Sequence, residues 1–565
     1  MIVFRYISRY YSSYLLGLLV LIIVNLLSAY IPQLIRRAVN LIGESRGLID
    51  KGLSLSINEI VITVLALALV MALLRTISRW IIFGLGRQIE FDLKSDIFKH
   101  LLRFEPKFFT KYKAGDLISI MTNDVQSIRG MAGFAVLNLL NTIIAFIIIV
   151  PLMYKLNATL TLCFLLLVPL VLLSVTVVSK QIKHYQELVQ EKLAEISRFI
   201  EENLSAIHII KSYGQESSEM KRFGVQNQGL LAYYLKLVRA RTYMGPLMKV
   251  IASAGFILLL YFGATAVYAK SFNIGDFAAY SLYIERLIWP VATLGWMVTV
   301  IYRAKVSGAR IAELFAFVPQ VSDKPDAIKI TTLNSSIKLP YLLRRREGRS
   351  DEAIHELVSS GLLRSARNDE YEIKANEMLA IVGAIGSGKS TLARKLLRLE
   401  DSQRGEILVD GIDITDISLE SLRSVISLVP QDSLLFSATI LENILYACDE
   451  TDPEHARSLA SLVAIDREID NMPQGYDTLV GERGITLSGG QRQRITIARA
   501  LARKPKVLIL DDALSSVDDA TAATIVSNIK TLRKGLCTIF ITHKLSLAEQ
   551  MDRILVLEGA SRERN

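Results

Sequence analysis

The sequence predicts two unlike halves. Residues 1–320 read as an α-helical domain of six membrane spans, and residues 321–565 as a soluble α/β domain built around a phosphate-binding loop. Three observations predict this. Six apolar stretches in the first half each have the ~20 residues that cross a bilayer. A strand in the second half runs into a glycine-rich loop and then a helical pattern. A later strand in the same half ends in two aspartates. Composition agrees: of 565 residues 51% are apolar and 21% charged, with a mean hydropathy of +0.36. Such a chain is too apolar for disorder, and its uneven apolar distribution excludes an ordinary soluble enzyme. Cys163, Cys448 and Cys537 show no C-x-x-C spacing, which excludes a disulfide scaffold and a cysteine zinc site. The net charge of +10 suits either nucleic acid or the Lys/Arg of cytoplasmic loops. The second source is the reading adopted, with no nucleic-acid partner.

The spans fall at residues 14–35, 57–84, 131–153, 158–178, 246–268 and 277–301. The first is too long for a signal-peptide core and no A-x-A site follows it, so it is expected to be retained. Only a few residues near Lys155 join the third and fourth spans. The loops at 87–129 and 180–244 are long and rich in Lys and Arg, and Arg5 and Arg9 precede the first span. This asymmetry places the N-terminus and both long loops in the cytoplasm. Arg36, Arg37, Arg46 and Lys51 on the other side are the contrary signal. Residues 90–102 and 187–204 have helical spacing and good helix formers. The spans are therefore expected to continue into the cytoplasm and turn back at Lys113-Ala114-Gly115-Asp116 and Tyr213-Gly214-Gln215, where a soluble motor would touch them.

Arg75 and Arg79 fall within the second span, and Glu285 and Arg286 within the sixth. Such charges line a cavity, pair with each other, or sit below the membrane surface. Trp80, Trp289, Trp296, Tyr261 and Tyr283 either line a pocket or belong to the interfacial belt.

In the second half, the strand at 378–382 runs into Gly383-Ala384-Ile385-Gly386-Ser387-Gly388-Lys389-Ser390-Thr391. This is the pattern G-x-x-x-x-G-K-[ST] of a P-loop nucleoside triphosphatase. Its glycines let backbone N–H groups close around phosphate oxygens. Lys389 supplies charge at the β- and γ-phosphates, and Ser390 a hydroxyl for Mg²⁺. The strand at 507–510 ends in Asp511-Asp512, and Asp511 is the second candidate on the Mg²⁺ side. Between them, Leu487-Ser488-Gly489-Gly490-Gln491 opens a helical run, a second anion-binding helix start. One chain has no obvious use for two phosphate-binding helix ends per nucleotide, so the second suits a nucleotide held by another chain.

With these motifs in place, the sequence resembles an ATP-binding cassette exporter half-transporter of the multidrug or lipid type, over nearly the whole chain. Gly115-Asp116, Asn123-Asp124-Val125 and Arg310-Ile311-Ala312-Glu313 carry the likeness in the first half. In the second half it rests on Leu487 to Gln491. The resemblance implies ATP and Mg²⁺ as cofactors. Gln431 would sense the metal, Ser515-Ser516-Val517-Asp518 would cross a dimer interface, and His543 would act as the switch near the γ-phosphate. It further implies an integral, multi-pass protein of the bacterial inner membrane, with the nucleotide-binding domain in the cytoplasm. The expected partners are a second half-transporter, the lipid bilayer and a small hydrophobic or lipid-like substrate. Closure of two motors around ATP would then drive ATP-powered export or flipping.

The sequence departs from that family in three places. Asp512 stands where the family has Glu as the base that positions water. Either Asp works more slowly, or this chain is the weak half of a heterodimer, with its intact Leu487–Gln491 run completing the partner's site. A catalytically weak or regulatory partner is the alternative role. Residues 341–370 lack the expected short strand with an adenine-stacking aromatic; Tyr341 is too far from Lys389 and Tyr371 too close. After the strand at 554–557 the family continues into helix, whereas the sequence runs to Asn565, so a shortened and impaired product is a third expectation.

Overall fold

The computed structural model describes residues 2–45, 57–268, 272–331, 336–339, 371–384, 386–449, 452–481 and 487–557. The atypical segment 341–370 and the residues past 557 lie outside them. The chain divides into two compact units, one of residues 1–101 and 114–317, the other of residues 102–113 and 318–565.

The first unit is helical. Its six long helices are α1 (Tyr11–Ser45), α2 (Ile57–Leu101), α3 (Ala114–Leu156), α4 (Ala158–Ser205), α5 (Glu216–Tyr268) and α6 (Ile274–Ala316). Among the described residues, Tyr11–Ile42, Asn58–Leu101 and Ala114–Leu156 are long and apolar enough to cross a bilayer, and Ser253–Tyr268 is a shorter apolar stretch. Each expected span lies within a longer helix, because good helix formers carry the periodicity past the apolar run. Asn157 caps α4 by accepting from Leu160 N at 3.0 Å. The second turn falls at Tyr213–Gln215, where Gly214 has φ +60°. The first lies at Tyr112–Lys113, earlier than expected, and Gly115 and Asp116 already form the first turn of α3. Two π-helical turns, Ile120–Asp124 and Met131–Ala135, interrupt α3.

Polar contacts set the helix register. Tyr283 Oη donates to Ala29 O at 2.9 Å, and Tyr280 Oη to Thr161 Oγ1 at 3.2 Å. The buried Asp124 accepts from Ser307 at 2.8 Å and pairs with Arg310 at 2.9 Å. The Asn-Asp-Val and Arg-Ile-Ala-Glu stretches of the sequence thus meet across α3 and α6.

The second unit is α/β. A parallel sheet has the order β6 (Ile426–Val429), β7 (Val507–Asp511), β8 (Cys537–Ile541), β3 (Met378–Gly383), β9 (Arg553–Leu557). Its inner strands β7 and β8 are buried throughout, as a sheet covered on both faces requires. An antiparallel sheet has the order β2 (Tyr371–Lys374), β1 (Ser336–Leu339), β4 (Leu408–Val409), β5 (Ile412–Asp413). The strand β1 escaped the sequence reading because it is four residues long and alternates only Ser-Ile-Lys-Leu.

Arg533 locks the base of the parallel sheet. It is 4% exposed and donates to Thr538 Oγ1, Pro505 O, Lys506 O and Cys537 O at 2.8–3.1 Å. Burial pulls its pKa down to about 10. Arg533→Met leaves those buried acceptors without a donor and should destabilise this unit by about 2–3 kcal/mol. Thermal unfolding of the purified protein checks this: the midpoint should fall by several degrees, and an unchanged midpoint would contradict the assignment.

Candidate functional site

The residues with chemistry gather at the carboxyl edge of the parallel sheet, where open α/β sheets bind ligands. There β3 ends in Gly383, and the loop through Gly386 and Ser387 enters helix α7 (Lys389–Leu396). Gly388 caps α7 with φ +97°, a conformation that side chains with a Cβ rarely adopt. Lys389 is 6% exposed, and its Nζ donates to Gly383 O at 2.6 Å and Ala384 O at 2.9 Å. Ser390 Oγ donates to Asp511 Oδ1 at 3.1 Å. Burial holds Lys389 below its ordinary pKa, opposed by the charges of Asp512 and Asp511. Burial also raises the Asp511 carboxyl, opposed by the Ser390 hydrogen bond. Thr391 Oγ1 accepts from Arg394 at 3.3 Å.

The donor set fits a polyphosphate. Ser387 Oγ is buried and has no hydrogen-bond partner among the described residues. It stands in a loop with a buried lysine and a helix start, both suited to anions. A hydroxyl and a carboxylate side by side, Ser390 and Asp511, are hard oxygen donors of the kind Mg²⁺ takes.

Asp512 follows at the end of β7. Its backbone sits at φ +49°, and its N–H continues the ladder to Ile541 O at 2.9 Å. His543 Nε2 lies 3.2 Å from Asp512 Oδ2. Gln431, just past β6, is exposed and makes no hydrogen bond to Ser390 or Asp511 among the described residues. The structure therefore brings together the P-loop, Asp511, Asp512 and His543, and leaves Gln431 outside that contact.

The second anion-type helix start is separate in construction. Ser488 caps helix α8 (Gly489–Ala502) in a reciprocal box with Gln491. Ser488 Oγ accepts from Gln491 N at 3.2 Å, and Gln491 Nε2 also donates to Glu468 at 2.8 Å. A Cβ on Gly490 would come within 2.9 Å of Ser516 O, so glycine is needed for this close approach. Sequence reasoning missed Gln493. It is 4% exposed, donates to Ser515 Oγ at 2.8 Å and accepts from Ser516 N at 2.8 Å. Its signal was a glutamine on the face of α8 that otherwise reads as apolar.

Tyr371 has its ring covered by Arg553, 4.7 Å from the centroid, so that face is closed to an adenine. Tyr341 lies outside the described residues.

In the helical unit, Arg75, Arg79, Glu285 and Arg286 line one cavity, together with Asn25, Asn138 and Asn141. The asparagines were missed, although three amides in apolar spans are themselves a signal. Of the aromatic alternatives, the four with described side chains do not line it. Trp80 is 80% exposed, Tyr261 68% exposed, Trp296 stacks edge-on against Phe134, and Tyr283 is buried against Ala29. The Trp289 side chain lies outside the described residues.

Comparisons with known proteins follow the same division. Residues 14–291 match the ABC transporter transmembrane region, and residues 366–515 match the ABC transporter family. A probable multidrug resistance ABC transporter ATP-binding/permease protein of Bacillus subtilis is 29% identical over 98% of this chain and 92% of its own length. An ATP-dependent lipid A-core flippase of Syntrophus aciditrophicus is 30% identical over 84% of this chain and 76% of its own. The solved structure of a bacterial Atm1-family ABC exporter with ATP bound aligns with a TM-score of 0.72 at 25% identity, covering 98% of this chain and 95% of that one. The chain belongs to the ABC transporters, with a membrane-spanning helical domain and an ATP-binding domain.

Lys389→Ala should weaken ATP-analogue binding by at least about tenfold, since a charge-assisted contact to phosphate is lost. Fluorescent nucleotide titration of the purified protein reads this, and an unaltered dissociation constant would remove Lys389 from the site.

Proposed function

We propose that this ABC transporter chain is one half of a dimeric exporter that uses ATP to export or flip hydrophobic or amphipathic compounds. Its setting is the bacterial inner membrane, with the nucleotide-binding domain in the cytoplasm. The observation that carries this is the P-loop cradle: the unpartnered Ser387 hydroxyl, the buried Lys389 and the Ser390–Asp511 bond in one place. Relatives named for multidrug resistance and for lipid A-core flipping support an amphipathic substrate. Gly383, Gly386, Ser387, Gly388, Lys389 and Ser390 hold the phosphates. Mg²⁺ would be held by Ser390 and Asp511, with Gln431 joining on closure, and would offset charge on the β- and γ-phosphates.

The start of α8 is the half of a site that serves another chain. Ser488 is exposed there, and Gly489 and Gly490 leave the first N–H groups of the helix uncovered by side chains. Gln491 stabilises this end by the capping box rather than by reaching a nucleotide. Ser488→Arg should stop ATP hydrolysis by the assembled transporter while this chain's own P-loop still binds nucleotide. Steady-state ATPase assays decide, and a normal rate would exclude the trans arrangement.

The partner is a different half-transporter, and this chain has the weak site. Asp is shorter than Glu by one methylene, roughly 1.5 Å of reach, and a misplacement of about 1 Å can cost on the order of 100-fold in rate. The Asp512 carboxylate is instead drawn to His543. Its φ of +49° suits this reading, because Asp enters the left-handed region more readily than most residues. Asp512→Asn should change turnover of the assembled pair less than about twofold, well short of the ~100-fold loss expected where a catalytic carboxylate is removed. Near-total loss in the ATPase assay would instead make this chain an ordinary catalytic half.

A further inference from the structure

The cavity of the helical unit does not have the chemistry of a plain hydrophobic pocket. It measures about 540 Å³, inside the ~300–1,000 Å³ range of ordinary ligand pockets. Arg75 and Arg79, one helical turn apart on α2, enter from one wall, and Arg286 enters from α6. Among the described residues only one carboxylate, Glu285, lines the same space. None of the three guanidiniums forms an ion pair among the described residues. The Asn25 amide donates to Asn141 Oδ1 at 3.0 Å, tying α1 to α3 on the far wall. Leu21, Val24 and Ile149 supply the apolar surface.

A guanidinium within a membrane span is costly unless it faces water or an opposite charge. Three around one space also repel each other, and a single carboxylate does not neutralise them. A cationic compound would add to that repulsion. A phosphate or carboxylate would relieve it, and planar guanidiniums bind either in bidentate fashion. We propose that this cavity binds anionic amphipaths, with the phosphate or carboxylate held by Arg79 and Arg286 beside Arg75 and the apolar part against Leu21, Val24 and Ile149. That the bound compound is also transported rests on the exporter reading; the binding itself does not.

The test uses the full-length protein in detergent, titrated with dioleoyl phosphatidate and with dioleoylglycerol and followed by native mass spectrometry. The two probes share their chains and differ in the phosphate. The phosphatidate should bind about tenfold more tightly or better, as one charge-assisted contact supplies. Arg79→Gln and Arg286→Gln should each bring the ratio towards unity, while Arg79→Lys keeps most of it. Monodisperse elution of each variant separates loss of binding from misfolding. Displacement of the phosphatidate by millimolar inorganic phosphate would mean that the free anion is recognised; a preference that survives phosphate would mean that the lipid is. Both uphold the anion assignment. Equal affinity for the two probes, or a ratio unchanged in both Gln variants, overturns it. If the ratio holds but ATP-driven uptake of phosphatidate into inverted vesicles is absent, the exporter reading fails and the binding assignment stands.

Discussion

The hydrogen bond from Ser390 Oγ to Asp511 Oδ1, 3.1 Å long, holds the nucleotide-binding unit in its working arrangement. In the sheet, β8 separates β3 from β7, so this bond spans a strand that supplies neither group. It works only because the ladder keeps all three strand ends level. Thr542 N reaches Ile381 O at 3.2 Å, and Asp512 N reaches Ile541 O at 2.9 Å. That alignment puts Gly383, the two aspartates and His543 in one row. The row has an energetic cost, seen in the raised Asp511 and lowered Lys389 pKa values, and burial is the main cause of both. A sheet selected for stability alone would not place a carboxylate and an ammonium there. A site that must meet phosphate and a divalent cation has a reason to.

Gln493 extends this order to the second helix start. Its amide bonds both Ser515 and Ser516, so α8 and the loop after Asp512 move together. Gly490 packs against Ser516 at a distance no side chain allows. In the proposed dimer this linkage is direct: the end offered to a partner's nucleotide is fixed to the residues beside this chain's own Asp512. Each site would then register the occupancy of the other through one buried glutamine.

Much of this was legible in the sequence, for local reasons. The P-loop, the acidic strand end and the Leu487–Gln491 run are short motifs whose geometry is set by adjacent residues. The six apolar stretches are composition alone. What was not legible depends on placement in three dimensions. Gln431 and Ser390 are both readable as metal-side groups, yet only Ser390 meets Asp511. Tyr283 and Trp296 read as either pocket or interfacial-belt residues, and helix rotation turns Tyr283 into the core against Ala29 and Trp296 onto Phe134. The turn before α3 came earlier because Ala114-Gly115-Asp116 suits a helix's first turn, with the acid near the positive end. Strand β1 was too short to show a period of two.

Specific polar bonds tie the helices around the cavity to one another. Helices α1, α3 and α6 are cross-linked by Asn25–Asn141, Tyr283–Ala29 and Asp124–Arg310. Of these, the Asn25–Asn141 bond lies in the cavity wall itself. Helix α2 brings two of the three arginines, and Glu90 ties it to Arg129 of α3 at 3.6 Å while Asp96 and Asp92 accept from Tyr6 and Tyr10 at 2.6 Å. In the proposed binding mode, an anion between Arg79 on α2 and Arg286 on α6 would bridge these two helices. A ligand shifts a conformational equilibrium only when it binds one arrangement better than another, so such a bridge would act on any motion that changes the distance between α2 and α6. The charges proposed to select an anion would thus also be the ones that link its occupancy to two helices of the bundle.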